Sequence, residues 1–373
     1  MMDSTKSIAA LLDEGLRLHQ AEKFEAAAAL YHQALEACPE HPDALHYLGL
    51  LTAQQGQIGA AVELLQRALR GNPRSSVCQR DLGILFLGFE RFEEAEAAFR
   101  KAIDLQPNFP EAFCSLGRLY HDLCSLEEAI GCYERAVAQK PDFVEATEGL
   151  QSARASKENL FAFAQAFRTA HSGGTERKLG DSPGAKLEKR ELLPRLLNLI
   201  GLRGVGAEIG VKEGKFSEQI LRHWQGMLLY SVDPWREFGA SEYADVSNVS
   251  QAQQDELYQQ TIRRLMPFQR RSVIWRLTSK EAAELVPDDS LDFCYIDADH
   301  SYRGVSDDIQ LWHPKVKKGG LLGGHDFVSD GDYWFGKFGV HRAVTEFVAA
   351  SKQDIFISGE PAGGFPSWFV VKK

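Results

Sequence analysis

The stretch Gly206-Ala207-Glu208-Ile209-Gly210-Val211-Lys212-Glu213-Gly214-Lys215-Phe216-Ser217 decides how the second half of the chain is read. It lies on a short apolar run, Val205 to Val211, that ends in an acid and two glycines before a helical pattern. Glycines at such a turn let a ligand lie against bare backbone at a helix N-terminus. The dinucleotide fingerprint G-x-G-x-x-G does not fit, because Gly204 and Gly206 fall inside the strand and the third glycine position holds Ile209. A carboxylate at Glu208 repels a pyrophosphate and attracts a cationic amino-acid moiety, which suits S-adenosylmethionine better than NAD. The next run, Met227 to Val232, ends in Asp233, 19 residues beyond Gly214. That spacing suits a ribose diol. The alternative is an Asp that caps the turn before Pro234.

Further short apolar runs at Val273–Leu277, Leu291–Ile296, Leu321–Gly323, Ile355–Ile357 and Trp368–Val371 alternate with helical patterns. Such alternation predicts a doubly wound, mostly parallel seven-stranded α/β sheet, with the last run as its closing edge strand. Ligands in that class sit at the carboxyl ends of strands. Two more strand ends are informative: Asp297-Ala298-Asp299-His300-Ser301-Tyr302, and Gly323-Gly324-His325-Asp326. Three carboxylates and two histidines on adjacent strand ends point to a divalent-metal site rich in oxygen ligands. Asp299 is either the N-cap of the run Tyr302–Trp312 or a supporting group. His341 opens another helical run and is structural or substrate-lining. Trp235, Phe238 and Tyr243, with Tyr333, Trp334 and Phe335, either wall a sugar or polyketide ring or pack the loops together.

The chain has 373 residues, enough for two or three domains. At 44% hydrophobic and 25% charged it has an ordinary globular composition. No apolar run reaches the roughly 18 to 20 residues of a membrane helix, and the opening residues lack a signal-peptide pattern, so a cytoplasmic protein is expected. Cys38, Cys78, Cys114, Cys124, Cys132 and Cys294 form no C-x-x-C pair and read as reduced core thiols. Net charge is −10, of which −8 falls in residues 1–170. A basic stripe is absent, which argues against nucleic acid as a direct partner.

That acidic half is periodic. Gly15, Gly49, Gly83 and Gly117 recur every 34 residues, as do Ala27, Ala61, Ala95 and Ala129, and Ala34, Ala68, Ala102 and Ala136. Pro39, Pro73, Pro107 and Pro141 close each unit. Each unit holds two apolar stripes at helical spacing, so it reads as a helix-turn-helix. The small residues let paired helices approach closely, while Tyr31, Leu65, Phe99 and Tyr133 plug one position in successive units. Segment 142–170 reads as a helical cap on the stack. Residues 171–186, with four Gly and one Pro and almost no large apolar side chain, read as a linker. The expected division is 1–170, linker 171–186 and 187–373, the last opening on a helical stretch Leu187–Ile200.

These four units resemble the tetratricopeptide repeat family, which implies a superhelix whose concave face binds a protein or peptide. A plain spacer or dimerisation element is the alternative. Residues 188–373 resemble class I S-adenosylmethionine-dependent methyltransferases, of the subgroup similar to macrolide-sugar and cephamycin-type O-methyltransferases. The most specific signature is Tyr295-Ile296-Asp297-Ala298-Asp299-His300 followed by Gly-Gly-x-x-Gly-Gly-His325-Asp326. The same two strand ends resemble cation-dependent caffeoyl-CoA and catechol O-methyltransferases. The resemblance implies that Glu208, Gly210, Gly214 and Ser217 hold the methionine end of the cofactor, Asp233 its ribose, and that Asp297 lies in the same cofactor pocket. It further implies Asp297, His325 and Asp326 as metal ligands. His325 departs from the Asp or Glu usual there, so either the ion shifts from magnesium toward manganese, iron or zinc, or His325 is a base.

The expected activity is methyl transfer from S-adenosylmethionine to a hydroxyl of a small molecule or glycan, assisted by magnesium or manganese, with His300 or His325 as base. Two alternatives are a metal-dependent hydroxylase or hydrolase on the same scaffold, and an adaptor whose second domain is inactive or only senses cofactor.

Overall fold

The computed structural model describes residues 7–171, 187–239, 245–333, 336–360 and 364–373. The expected linker therefore lies outside the described residues beyond His171, as do Tyr243, Trp334 and Phe335. The chain divides into two compact units, Met1–Ala155 and Ser156–Lys373.

The first unit is a succession of helix pairs: α1 (Ile8–Gln20) with α2 (Phe24–Ala37), α3 (Pro42–Gln54) with α4 (Ile58–Gly71), α5 (Ser76–Gly88) with α6 (Phe92–Leu105), and α7 (Pro110–Asp122) with α8 (Leu126–Gln139). Their starts are specified locally. Ser7 and Ser75 accept hydrogen bonds from the backbone N–H three residues on, and Pro42 and Pro110 occupy first-turn positions where no N–H is needed. The second helix of each pair stops one residue before its proline, at Cys38, Asn72, Gln106 and Lys140.

Close approach within each pair follows from the glycines. A β-carbon built on Gly83 would lie 2.6 Å from Phe99 Cε1, on Gly15 2.5 Å from Tyr31 Cε1, on Gly49 2.2 Å from Leu65 Cδ1, and on Gly117 2.9 Å from Tyr133 Cδ1. The four plugging side chains are buried, and so are all eight periodic alanines. The expected packing is the one observed.

Helix α9 (Val144–His171) is a single element of 28 residues. Ala146, Leu150 and Ala153 complete the core of the first unit. From Ser156 onward the helix belongs to the second unit: Ser156 Oγ and Asn159 Nδ2 donate to Glu188 at 2.6 Å each, and Phe163 and Phe167 pack on Phe356 at 5.4 and 6.2 Å between ring centroids. This one helix spans most of segment 142–170, which the sequence pattern reads as a cap on the repeats.

The second unit is a seven-stranded sheet in the order β3 (Ser272–Trp275), β2 (Leu228–Val232), β1 (Val205–Ile209), β4 (Leu291–Ile296), β5 (Val316–Gly324), β9 (Trp368–Val371), β8 (Ile355–Ile357). The first five run parallel, and β9 pairs antiparallel with β5 and β8. A separate hairpin joins β6 (Gly331–Tyr333) to β7 (Gly336–Phe338). All seven expected runs are sheet strands, but the last of them, β9, is not the closing edge: it inserts between β5 and β8, and β8 forms the edge. β5 begins five residues earlier than its apolar core, because Lys317, Lys318, Gly319 and Gly320 belong to the strand although they carry no hydrophobic signal. The stretch Leu187–Ile200 is helical only from Leu193 (α10, Leu193–Ile200), where Pro194 sits in the first turn, with a 3₁₀ turn at Arg190–Leu192 before it.

The sheet order reverses between β1 and β4, the crevice where open α/β sheets bind ligands. Helices α11 (Lys215–His223), α12 (Gln251–Leu265), α13 (Ser279–Leu285), α14 (Tyr302–Trp312) and α15 (Val340–Ser351) complete the unit. Among the described residues no helix is long and apolar enough to cross a membrane.

The glycine packing gives a direct test. Gly83→Val forces the Phe99 ring aside and should destabilise the full chain by about 1 to 3 kcal/mol. Gly131→Ala, inside α8 with nothing within 4 Å of the added carbon, should be neutral or stabilise by up to about 1 kcal/mol. Urea unfolding followed by circular dichroism compares them, and equal behaviour of the two variants would refute the close-approach account.

Candidate functional site

The strand ends are held in register by hydrogen bonds that continue one residue past the sheet. Gly210 N–H donates to Val232 O at 2.9 Å, Asp233 N–H to Trp275 O at 3.1 Å, Asp297 N–H to Ile209 O at 2.7 Å, and His325 N–H to Ile296 O at 3.0 Å. Glu208, Gly210, Asp233, Asp297, His325 and Asp326 therefore sit on, or next to, backbone fixed by a neighbouring strand, while Gly214, Ser217 and His300 follow beyond the strand ends. Glu208, Gly210, Asp233, Asp297 and His300 line one cavity of about 1010 Å³ together with Arg190, whereas Gly214, Ser217, His325 and Asp326 lie outside its lining.

Gly210 has φ +87°, and a β-carbon there would lie 2.1 Å from the Asp297 carbonyl oxygen. Only glycine allows both the left-handed turn and this approach of two backbones. Gly214, at φ +78°, is the N-cap of α11. Ser217, in the first turn of that helix, is fully buried and donates from its hydroxyl to the Glu208 carboxyl, with Ser231 Oγ 2.7 Å away. Burial pushes the Glu208 carboxyl up to about 8, partly offset by the Ser217 hydrogen bond. In the ligand-free protein near neutral pH it is therefore largely the uncharged acid.

Asp233 holds the loop itself. Its Oδ2 accepts from the N–H groups of Val211 and Lys212 at 3.0 Å each, and its Oδ1 from Trp235 N–H at 2.8 Å. Burial raises its pKa and these three donors pull it back, leaving it somewhat raised. The capping alternative for Asp233 is thus present in the structure, in a residue that also lines the cavity. At another part of the wall, burial raises Asp308 to about 7; Ser279 Oγ donates to it and receives Trp312 Nε1–H at 2.8 Å.

Next to the cavity lies a cluster of acids and histidines. Ligand atoms of Asp297, His300 and Asp326 lie within 4.8 Å of one another. His300 Nε2 is 2.9 Å from Asp326 Oδ2 and 3.6 Å from Asp297 Oδ1, while Nδ1 is 3.3 Å from Asp245 Oδ2. Nε2 is buried yet makes no hydrogen bond of acceptable geometry. Burial opposes charge on His300, but the carboxylates of Asp245, Asp297 and Asp326 outweigh it and push its pKa up to about 12. Asp326 is buried too, but His300 and His325 hold it well below the usual carboxylate range. His325 Nδ1 is 3.0 Å from Asp326 Oδ1 and 3.8 Å from Asp297 Oδ1. The sequence reading groups Asp297, His325 and Asp326; among the described residues the trio whose ligand atoms all lie within 4.8 Å of one another has His300 beside the two acids. Asp326 also adopts φ +59°, which an Asp tolerates better than most side chains. Two carboxylates and a crowded, unsatisfied imidazole nitrogen fit a divalent cation.

Several expectations resolve here. Ser301 is the N-cap of α14, and Asp299 supports it by accepting Ser301 N–H at 2.9 Å. Trp235 is fully buried, donates from Nε1 to Lys212 O at 2.7 Å and leans on Tyr258, so it packs the loop and is not a substrate wall. Phe238 does line the cavity. His341 is exposed in the first turn of α15, its ring 4.7 Å from Phe327. Two residues escaped sequence reasoning. Arg190 donates from Nη1 to Asp297 Oδ2 at 2.9 Å, and Asp245 braces His300. Neither stands at a strand end or in a periodic pattern, so no local signal marks them.

The raised Glu208 has a stability consequence. Between the ordinary carboxyl value of 4.5 and about 8 the folded chain binds a proton that the unfolded chain releases, so this contribution is complete below pH 4.5 and is lost as pH rises through 8. Glu208→Gln should therefore melt above the parent at pH 8.5, by an amount bounded at about 1.4 kcal/mol per pH unit, and the gap should close at pH 5. A gap independent of pH would contradict the assignment.

Comparison with known proteins adds to this geometry. Residues 207–327 match the methyltransferase domain family, and residues 12–76 and 80–170 match the tetratricopeptide repeat family. A search of curated proteins gave no match. Among solved structures, the chain is similar to MamA at 25% identity over 39% of this chain and 84% of that one, with a TM-score of 0.35. It is also similar to TTC0263, a thermophilic TPR protein of Thermus thermophilus, at 21% identity over 47% and 95%, with a TM-score of 0.38. A third is pilF of Pseudomonas aeruginosa, at 19% identity over 52% and 84%, with a TM-score of 0.39. The chain thus joins a tetratricopeptide repeat array to a methyltransferase domain.

Proposed function

We propose that the protein is an S-adenosylmethionine-dependent O-methyltransferase, assisted by a divalent metal and acting on a hydroxylated small molecule or glycan. The observation that carries this reading is the convergence of the β1, β2 and β4 ends on one cavity: a glycine loop with no room for a β-carbon at Gly210, buried Glu208 with Ser217 donating to it, and the acids Asp233 and Asp297. Glu208 and Asp297 would face the methionine end of the cofactor. The Asp233 carboxylate would take the ribose hydroxyls while keeping the loop hydrogen bonds it already makes.

Methyl transfer from a sulfonium is an in-line displacement in which alignment supplies up to about 7 to 11 kcal/mol. Asp297, His300 and Asp326 would hold the metal, through Nε2 in the case of His300. A divalent ion held there would supply Lewis acidity that lowers the pKa of a substrate hydroxyl. The base is then His325: Asp326 can accept its Nδ1–H at 3.0 Å, which leaves the other ring nitrogen to take a proton. Without metal, His300 is held as imidazolium by three carboxylates and is a poor base. The repeats would recruit a protein or peptide, either as partner or as carrier of the acceptor.

Calorimetric titration of S-adenosylmethionine with and without manganese tests the reading. The parent should bind, and Asp233→Ala should lose about 10- to 100-fold in affinity. His300→Ala should weaken manganese binding, whereas His325→Ala should lower turnover with both affinities kept. A well-folded parent that does not bind S-adenosylmethionine would overturn the proposal.

A further inference from the structure

Acids alone would suffice for a ligand whose buried end is only cationic, but this cavity also brings a guanidinium to the same place. Arg190 lines it together with Glu208 and Asp297. Its backbone N–H donates to Glu360 Oε1 at 2.9 Å, which fixes the 3₁₀ turn ahead of α10. Its guanidinium carbon lies 4.9 Å from the Phe216 ring centroid, and Nη1 donates to Asp297 Oδ2 at 2.9 Å. The Glu360 bond fixes the backbone, and the guanidinium is held by an aromatic face, by the Asp297 carboxylate and by the Tyr295 hydroxyl, with Glu191 Oε1 3.6 Å from Nε, so little side-chain freedom remains to be lost on binding. A guanidinium has five N–H donors in a rigid fork suited to a second carboxylate. The lysines of the loop differ: Lys212 and Lys215 are exposed, and Lys215 Nζ is 3.4 Å from Glu213.

A fixed cation set among Glu208 and Asp297 matches a zwitterion, whose ammonium and carboxylate share one carbon. We infer that Arg190 binds the α-carboxylate of the methionine end of S-adenosylmethionine, while Glu208 and Asp297 face its ammonium group. The inference rests on the cofactor reading above and adds a residue and a charge pattern to it. It makes Arg190 a discriminator between the intact cofactor and adenosine compounds that lack the amino-acid end.

The test uses the full chain and two probes, S-adenosylmethionine and 5′-methylthioadenosine, which keeps the adenosine and thioether but has no aminoacyl group. Arg190→Gln should reduce affinity for S-adenosylmethionine by about 10- to 100-fold and leave methylthioadenosine unchanged. Arg190→Lys, which keeps the charge but not the fork, should recover part of the loss. Equal losses for both probes would mean that Arg190 only braces Asp297 and would overturn the inference, as would no loss for either. If the folded parent binds methylthioadenosine but S-adenosylmethionine no better, the carboxylate subsite fails while the adenosine pocket stands. If it binds neither, the cofactor reading itself falls.

Discussion

The site depends on one constraint, the parallel register between β1 and β4. Glu208 lies beside Tyr295 in that ladder, and the next bond beyond it, from Asp297 N–H to Ile209 O, draws the Asp297 carbonyl against Gly210. A slip of one residue would turn Glu208 to the other face of the sheet and remove Asp297 from the cavity rim. The register is itself protected by packing. Gly206 lies under Phe293 with no space for a β-carbon, and Ala207, Ile209, Cys294 and Ile296 share one core.

Charge at and beside the cavity is balanced by shared contacts, apart from Asp233, which three backbone N–H groups hold. Asp297 is shared between Arg190 and His300, Asp326 between two histidines, and Asp245 braces His300 from the opposite ring nitrogen. Glu208 has only a hydroxyl, and its proton is retained instead. Buried carboxylates unpaired in any of these ways would strongly destabilise the fold.

Much of this was legible in the sequence because two kinds of signal were present. The repeats announce themselves through a strict period, since the same glycine must face the same large side chain in every unit. The strand ends announce themselves through acids and glycines that follow apolar runs. What was hidden has no such signature. Arg190 and Asp245 act through tertiary contacts between segments 55 or more residues apart. Trp235 shows the limit of composition: an aromatic in a loop near a pocket is as suited to stapling the loop, through Lys212 O, as to facing a ligand.

The uncharged state of Glu208 carries over into how any ligand is felt. A molecule that sets positive charge against this carboxyl must expel its proton, because burial disfavours the bare anion but not the ion pair. Near neutral pH, complex formation would then acidify the surrounding solution. The measured heat would vary with the ionisation enthalpy of the buffer, and the apparent affinity would rise toward alkaline pH until the free protein had lost the same proton.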